Sequence, residues 1–171
     1  MIRFVPFDAR LDRSSFRCGK PELDEWFHRF AGQQERRNTV RTTIGLDHPS
    51  RRVAAFYSLV TAQVDRMASQ SSGDDRPSRY PLHAVLIARL AVDTDFQHAG
   101  VGRQALLHAL RRLAGVAQSV GFEAVVVDAI DAEAADFYRR HDFVDLGGEG
   151  RRLAMSTGQL LATFATSMES D

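Results

Sequence analysis

The sequence is poor in the residues that build disulfide frameworks and metal centres. It contains one cysteine, Cys18, and six histidines without the spacing of metal ligands. One cysteine excludes an internal disulfide and is typical of a reducing cytoplasm, where we expect the protein to act. We likewise expect no metal cofactor, and the lone thiol has no activating neighbours in sequence that would make it a nucleophile.

Long apolar runs are also missing. No stretch approaches the roughly 18 consecutive apolar residues of a membrane-spanning helix. The first residues, MIRFVP, lack the apolar core of a signal peptide. We therefore expect no association with a membrane.

Lysine is almost absent, because 21 of the 22 basic residues are arginine and only Lys20 is not. The net charge is zero, yet residues 1–89 hold 15 Arg or Lys against 10 Asp or Glu, and residues 90–171 hold 7 against 12. The arginine excess has two explanations that stay open here: the base composition of the source genome, or a face that binds phosphate. A basic N-terminal half favours an acidic or nucleic-acid substrate.

The length of 171 residues and the 44% hydrophobic content predict one domain over residues 1–171. Apolar strand patterns alternate with helical ones, so we expect a mixed α/β fold with a central sheet flanked by helices. Predicted strands are residues 1–7, 39–46, 52–59, 84–92, 124–127 and 152–155, and predicted helices include 21–31, 101–113 and 157–166. In the first helix Leu23, Trp26, Phe27 and Phe30 are expected to share one buried face, and residues 68–81 are expected to form a loop.

A strand, a glycine-bearing turn and a helix follow one another from residue 84. The pattern Gln97-x-x-Gly100-x-Gly102 precedes apolar residues at helical spacing. The first N–H groups of such a helix have no intrahelical partner and carry partial positive charge. Glycine lets the backbone approach an anion closely, so the pattern predicts a phosphate-binding turn.

A second motif lies about thirty-five residues further on. The apolar run 124–127 is typical of a strand buried on both faces. Asp131 is a plausible N-cap of the helix that follows, which carries Ala-Asp-Phe-Tyr at residues 135–138.

Both motifs resemble those of the Gcn5-related N-acetyltransferases (GNAT). The glycine turn is similar to the family's pyrophosphate loop, and the helix is similar to its A-x-x-F-Y helix, although Asp142 stands where the family usually has glycine. The resemblance implies the GNAT fold and acetyl-coenzyme A as cosubstrate. It places the coenzyme against one strand end and turn: Leu90, Ala91, Val92, Gln97, His98, Ala99, Gly100, Val101, Gly102 and Arg103.

Three further stretches resemble the toxin branch of this family. They are FRCGKPELDEW at residues 16–26, YSL at 57–59 and PLHAVLIARLAVD at 81–93. The resemblance implies acetylation of the α-amine of aminoacyl-tRNA, which blocks translation. It also implies a homodimer and a small antitoxin with a ribbon-helix-helix domain.

Reaction chemistry assigns roles to individual residues. Transfer from a thioester needs a proton for the leaving thiolate, and Tyr138 is the candidate general acid because a phenol stays protonated at neutral pH. The alternative is that Tyr138 only packs in the core. The arginines expected to contact tRNA are Arg36, Arg37, Arg41, Arg76 and Arg79.

Two other functions stay open at this point. The chain could acetylate a small amine or a protein N-terminus, although the basic N-terminal half is unfavourable for a cationic substrate. It could also be a non-catalytic GNAT-like binding domain. The sequence leaves the amino acid and the tRNA unspecified, since both depend on the shape of the site.

Overall fold

The structure, a computed structural model, describes residues 1–65, 81–147 and 151–168. Within these ranges the strands are β1 (Ile2–Pro6), β2 (Arg41–Asp47), β3 (Val53–Val64), β4 (Leu82–Val92), β5 (Ala124–Asp128), β6 (Val144–Asp145) and β7 (Arg152–Ser156). The helices are α1 (Pro21–Glu25), α2 (Ala31–Arg36), α3 (Val101–Val116), α4 (Ala132–Arg139) and α5 (Thr157–Met168), with a π-helical turn at Trp26–Phe30 and a 3₁₀ turn at Thr94–Phe96. No described helix is both long enough and apolar enough to cross a membrane.

The strands form one mixed sheet in the order β1-β2-β3-β4-β5-β7-β6. β4 and β5 run parallel, with Ala84 opposite Ala124, whereas β1 with β2, β2 with β3, and β7 with both β5 and β6 are antiparallel. The predicted mixed α/β fold is confirmed. The predicted strands all occur, with ends that differ by a few residues, and the two-residue strand β6 was not predicted.

The described chain falls into two compact units. The first comprises Met1–Val60 and Ala88–Arg112, and the second comprises the described residues of Thr61–Ile87 and Leu113–Asp171. Each unit takes its residues from separate stretches of the chain, and β3, β4 and α3 contribute to both. The expectation of one domain over residues 1–171 therefore stays a prediction.

The core of the first unit is aromatic. Phe27 stacks on Phe56 with ring centroids 4.2 Å apart, and Phe16 meets both rings edge-on. Trp26, Ile44 and Ala91 are buried in the same cluster. Burial of these large side chains fixes the helical segment 21–36 against β2, β3 and the end of β4.

One predicted packing detail is wrong. Trp26 and Phe27 are buried as expected, but Phe30 is 42% exposed. The reason is the π-helical turn, in which the Ala31 N–H donates to the Trp26 carbonyl five residues earlier. This wider turn rotates the following residues, so the fully buried Ala31 takes the position expected for Phe30.

The second unit is built on β5, whose residues Val125, Val126 and Val127 are completely buried. Val64, Ala84, Ala124, Val126 and Ala154 form its apolar cluster. Burial on both faces agrees with the short unbroken apolar run of the sequence.

Candidate functional site

The predicted phosphate-binding turn connects the end of β4 to the start of α3. His98 and Gly100 have positive φ values of 61° and 79°. The Gln104 N–H donates to the Gly100 carbonyl at 3.1 Å, which is the first bond of the helix, so the N–H groups of Val101, Gly102 and Arg103 have no intrahelical acceptor. α3 has 16 residues, and its dipole places partial positive charge at these donors. The turn therefore has the geometry of an anion site.

Open space lies in front of the turn. A Cβ added to Gly100 would have no heavy atom within 4 Å. His98, Ala99, Gly100 and Arg103 are exposed. An anion can therefore reach the helix N-terminus directly.

The remaining predicted coenzyme residues supply the framework of this segment. Leu90 and Val92 are half-buried and Ala91 is buried near the end of β4, while Val101 is buried at the start of α3. Gln97 was expected to bind pyrophosphate, but its side-chain Nε2 donates to the carbonyls of Cys18 and Val92, each at 2.9 Å. Gln97 therefore fixes the turn through its own hydrogen bonds.

Asp93 fixes the strand end beside this turn. Its buried carboxylate accepts the backbone N–H of Arg17 and that of Asp95, each at 3.0 Å, and lies 3.6 Å from Arg52. The second of these bonds caps the 3₁₀ turn. The sequence interpretation, that Asp93 shapes the strand end, agrees with these contacts.

Tyr138 lies on α4 in the second unit. This helix begins at Asp131, whose Oδ1 accepts the Ala134 N–H at 2.8 Å, as the capping pattern predicts. Tyr138 is buried against Phe137 and Phe143, and burial raises the pKa of its hydroxyl well above the ordinary value. In the described part of the chain this hydroxyl has no hydrogen-bond partner. It is therefore a protonated, uncommitted donor at neutral pH.

The turn after α4 explains the departure of Asp142 from the family pattern. Asp142 has a φ of 67°. Glycine adopts this left-handed region without cost, and Asp is one of the few other residues that tolerate it. The turn that the family makes with glycine is thus available to this chain.

The predicted tRNA-binding arginines divide into three groups. Arg36 and Arg37 are exposed at the end of α2, and in the described residues neither has a carboxylate partner. Arg41 is also exposed but pairs with Glu35 at 3.3 Å and with Asn38 at 2.6 Å. Arg76 and Arg79 lie outside the described residues. Arg36 and Arg37 are therefore the available guanidinium groups of this set.

Two features of the first unit were missed by sequence reasoning. The Arg89 guanidinium lies 4.0 Å from the centroid of the Trp26 ring. The hydroxyl of the fully buried Tyr57 lies 2.8 Å from His108 Nδ1, beside a cavity of about 390 Å³. Burial and the nearby Arg112 and Arg111 lower the pKa of His108. The partners are 51 or more residues apart in sequence, so no local pattern could have signalled either contact.

Other candidate chemistry is not supported by the structure. Cys18 is buried, and burial raises the pKa of its thiol to about 11, which leaves little thiolate at neutral pH. Among the described residues no group of three His, Cys, Asp or Glu side chains is arranged to hold a metal ion.

Comparisons with known proteins agree with the geometry. The acetyltransferase (GNAT) domain model matches residues 61–145. A curated relative, the tRNA-acetylating toxin of Mycobacterium tuberculosis, is 31% identical over 138 residues, which span 77% of this chain and 78% of the relative.

Two solved structures have the same fold. AtaT complexed with acetyl-methionyl-tRNAfMet has a TM-score of 0.85 at 25% identity, over 96% of this chain and 99% of that one. AtaTR bound with AcCoA has a TM-score of 0.83 at 26% identity, over 95% and 98%. With a relative above 30% identity over most of its length, the chain belongs to the GNAT family of N-acetyltransferases, in its branch of tRNA-acetylating toxins.

Proposed function

We propose that this protein transfers the acetyl group of acetyl-coenzyme A to the α-amine of aminoacyl-tRNA and so blocks translation. The observation that carries the proposal is the 31% identity to the tRNA-acetylating toxin. The structure of AtaT with acetyl-methionyl-tRNAfMet supports the same reaction class. An acetylated α-amine cannot attack a peptidyl ester, and this is the chemical basis of the block.

The coenzyme is proposed to bind at the turn before α3. Its pyrophosphate would accept hydrogen bonds from the N–H groups of Val101, Gly102 and Arg103, with Gly100 leaving room for the approach. Leu90, Ala91 and Val92 would line the acetylated arm, and one backbone N–H there would donate to the oxyanion. His98 and Ala99 complete the loop. Support comes from the free helix N-terminus and from the open space at Gly100.

The reaction is proposed to be direct attack of the amine. The neutral α-amine nitrogen forms a bond to the thioester carbonyl carbon, and a tetrahedral oxyanion results. When the carbon–sulfur bond breaks, Tyr138 donates its proton to the thiolate and regains one from solvent, while the amine loses its proton to water. The raised pKa and the unpartnered hydroxyl of Tyr138 support this role.

Arginines on one side of α2 are proposed to hold the tRNA backbone. Arg36 and Arg37 are exposed and lack carboxylate partners in the described residues, and Arg41 is close to them in sequence. Arg76 and Arg79 remain in the proposal although they lie outside the described residues. Loss of one phosphate contact should lower the salt dependence of binding by roughly one unit of slope.

We further propose the partners and setting that the family implies. A small antitoxin with a ribbon-helix-helix domain would neutralise the toxin, and the AtaTR complex supports an antitoxin partner. The active form would be a homodimer of single GNAT domains. It would act in the cytoplasm, because charged tRNA is used there.

The first test is transfer of labelled acetyl from acetyl-coenzyme A to bulk charged tRNA, with the same pool deacylated as the control. We expect label on the charged pool only. Label on neither pool, by an enzyme that binds the coenzyme, would contradict the proposed substrate and favour a small amine or a protein N-terminus.

The second test is Tyr138→Phe, which removes only the phenolic proton donor. We expect turnover to fall by about 10²–10⁴-fold, with coenzyme affinity nearly unchanged. Tyr57→Phe is the matched control, since it removes the hydroxyl of another buried tyrosine that faces His108 and should keep turnover. Wild-type turnover in Tyr138→Phe would remove this residue from the mechanism.

A further inference from the structure

Arg89 is a half-buried arginine that no part of the proposed reaction uses. It lies on β4, and its guanidinium carbon is 4.0 Å from the centroid of the Trp26 ring. Burial lowers the pKa of Arg89, and in the described part of the chain the side chain has no carboxylate or hydrogen-bond partner. A buried cation is normally paired, so an unpaired one needs a physical explanation.

Stacking on Trp26 holds the guanidinium in place but leaves its donors unused. A cation over an indole face is attracted by the ring, and the contact restricts the side chain. The N–H groups lie in the plane of the guanidinium and point away from the ring below it. Arg89 is thus a preorganised fork of donors whose natural acceptor is the oxygen pair of a carboxylate or phosphate.

The position of Arg89 selects between these acceptors. Arg89 is the residue before Leu90, which begins the strand end assigned to the acetylated arm. Strand alternation puts Arg89 on the same face as Ala91, and that face also carries Trp26 and the aromatic core. The acceptor amine of the proposed substrate must reach this strand end, and the anion nearest that amine is the phosphodiester before the terminal nucleoside.

We infer that Arg89, held by Trp26, binds the last phosphodiester of the tRNA 3′ end and so positions the aminoacyl group for attack. The contact would also make the enzyme select aminoacyl-tRNA over free amines, which lack this phosphate. The inference rests on the proposed function and adds a residue and a substrate group to it.

The test compares two small acceptors that differ by one phosphodiester. One is adenosine carrying an aminoacylamino group at its 3′ position, and the other is the same unit extended to the dinucleotide cytidylyl-adenosine. Both carry the amino acid identified by the labelled tRNA pool. We expect wild-type kcat/KM to be about 10–10²-fold higher for the dinucleotide.

Arg89→Gln should abolish that preference, with little change in the rate on the nucleoside and in coenzyme affinity. Arg89→Lys should keep part of it, since lysine retains the charge without the fork. Arg29→Gln is the matched control, because Arg29 also lies over an aromatic ring, Phe30, but is exposed and pairs with Glu25. The control should keep the full preference.

The outcomes separate the two proposals. A wild-type enzyme that acetylates charged tRNA without preferring the dinucleotide overturns the inference and leaves the proposed function in place, and this includes the case in which neither fragment reacts. A preference retained in Arg89→Gln also overturns it. No acetylation of charged tRNA overturns both.

Discussion

The buried carboxylate of Asp93 joins the end of β4 to the segment before α1, and its replacement by alanine tests how much this junction contributes to stability. Its side chain is only 3% exposed. One oxygen accepts the Arg17 N–H and the other accepts the Asp95 N–H. The backbone adds two more bonds, from the Asp93 N–H to Ala54 and from the Thr94 N–H to Arg17.

The expected loss follows from these contacts. A hydrogen bond to a charged group contributes about 1.5–3 kcal/mol, and Asp93→Ala removes two of them and leaves the Arg17 amide without an acceptor. We expect the free energy of unfolding to fall by about 3–5 kcal/mol. That is a large part of the roughly 5–15 kcal/mol typical of a domain, and it would also loosen the turn that Gln97 ties to Cys18.

Urea unfolding followed by circular dichroism measures this loss, provided that the slope with denaturant is unchanged. Asp95→Ala is the matched control, since its carboxylate is 64% exposed and pairs with Arg52 on the surface. That change should cost less than about 1 kcal/mol. If Asp93→Ala costs no more than Asp95→Ala, the junction is not held by the buried carboxylate and the reasoning is wrong.

Two further predictions concern the coenzyme turn and the lone thiol. Gly100→Asp should abolish coenzyme binding in calorimetry, because it adds bulk and negative charge where the pyrophosphate would lie. Its cost in stability should stay near 1–2 kcal/mol, since only the positive φ opposes the new side chain. The exposed Gly121→Asp should leave binding intact, and normal binding by Gly100→Asp would place the coenzyme elsewhere. Cys18, with a pKa raised from 9.0 to about 11, should react with iodoacetamide about 10²-fold more slowly than a free thiol at pH 8. Because the folded pKa lies above the unfolded one, the stability it contributes is present below pH 9 and declines as the pH rises towards 11. Alkylation at the free-thiol rate would show that the site opens.

The sequence predicts well those features that depend on neighbouring residues. The strand before the turn, the positive φ at Gly100 and the Asp131 cap each follow from a few adjacent residues, and each occurs in the structure. The strand β5 was identified because its burial on both faces leaves an unbroken apolar run. Local physics decides these elements, so a local pattern reports them.

The features that the sequence did not predict depend on distant residues or on small changes of geometry. One residue more in the turn at Trp26–Phe30 moves Phe30 to the surface, and a regular helical period does not contain that information. Gln97 was assigned to pyrophosphate because of its motif, whereas its Nε2 bonds depend on the position of Cys18, 79 residues earlier. The two residues of β6 are too few for any periodic signal.

This difference bears on how each substrate is recognised. The proposed coenzyme turn donates through backbone N–H groups, whose directions are set by Gly100 and by the start of α3, so many side chains are compatible with it. Proposed contacts to tRNA use arginine side chains on separate elements, namely the end of α2 and the middle of the sheet at Arg89. A change in one of these arginines alters phosphate recognition without disturbing the coenzyme turn. Variants with altered acceptor selectivity should therefore arise at Arg36, Arg37 and Arg89, with coenzyme affinity preserved.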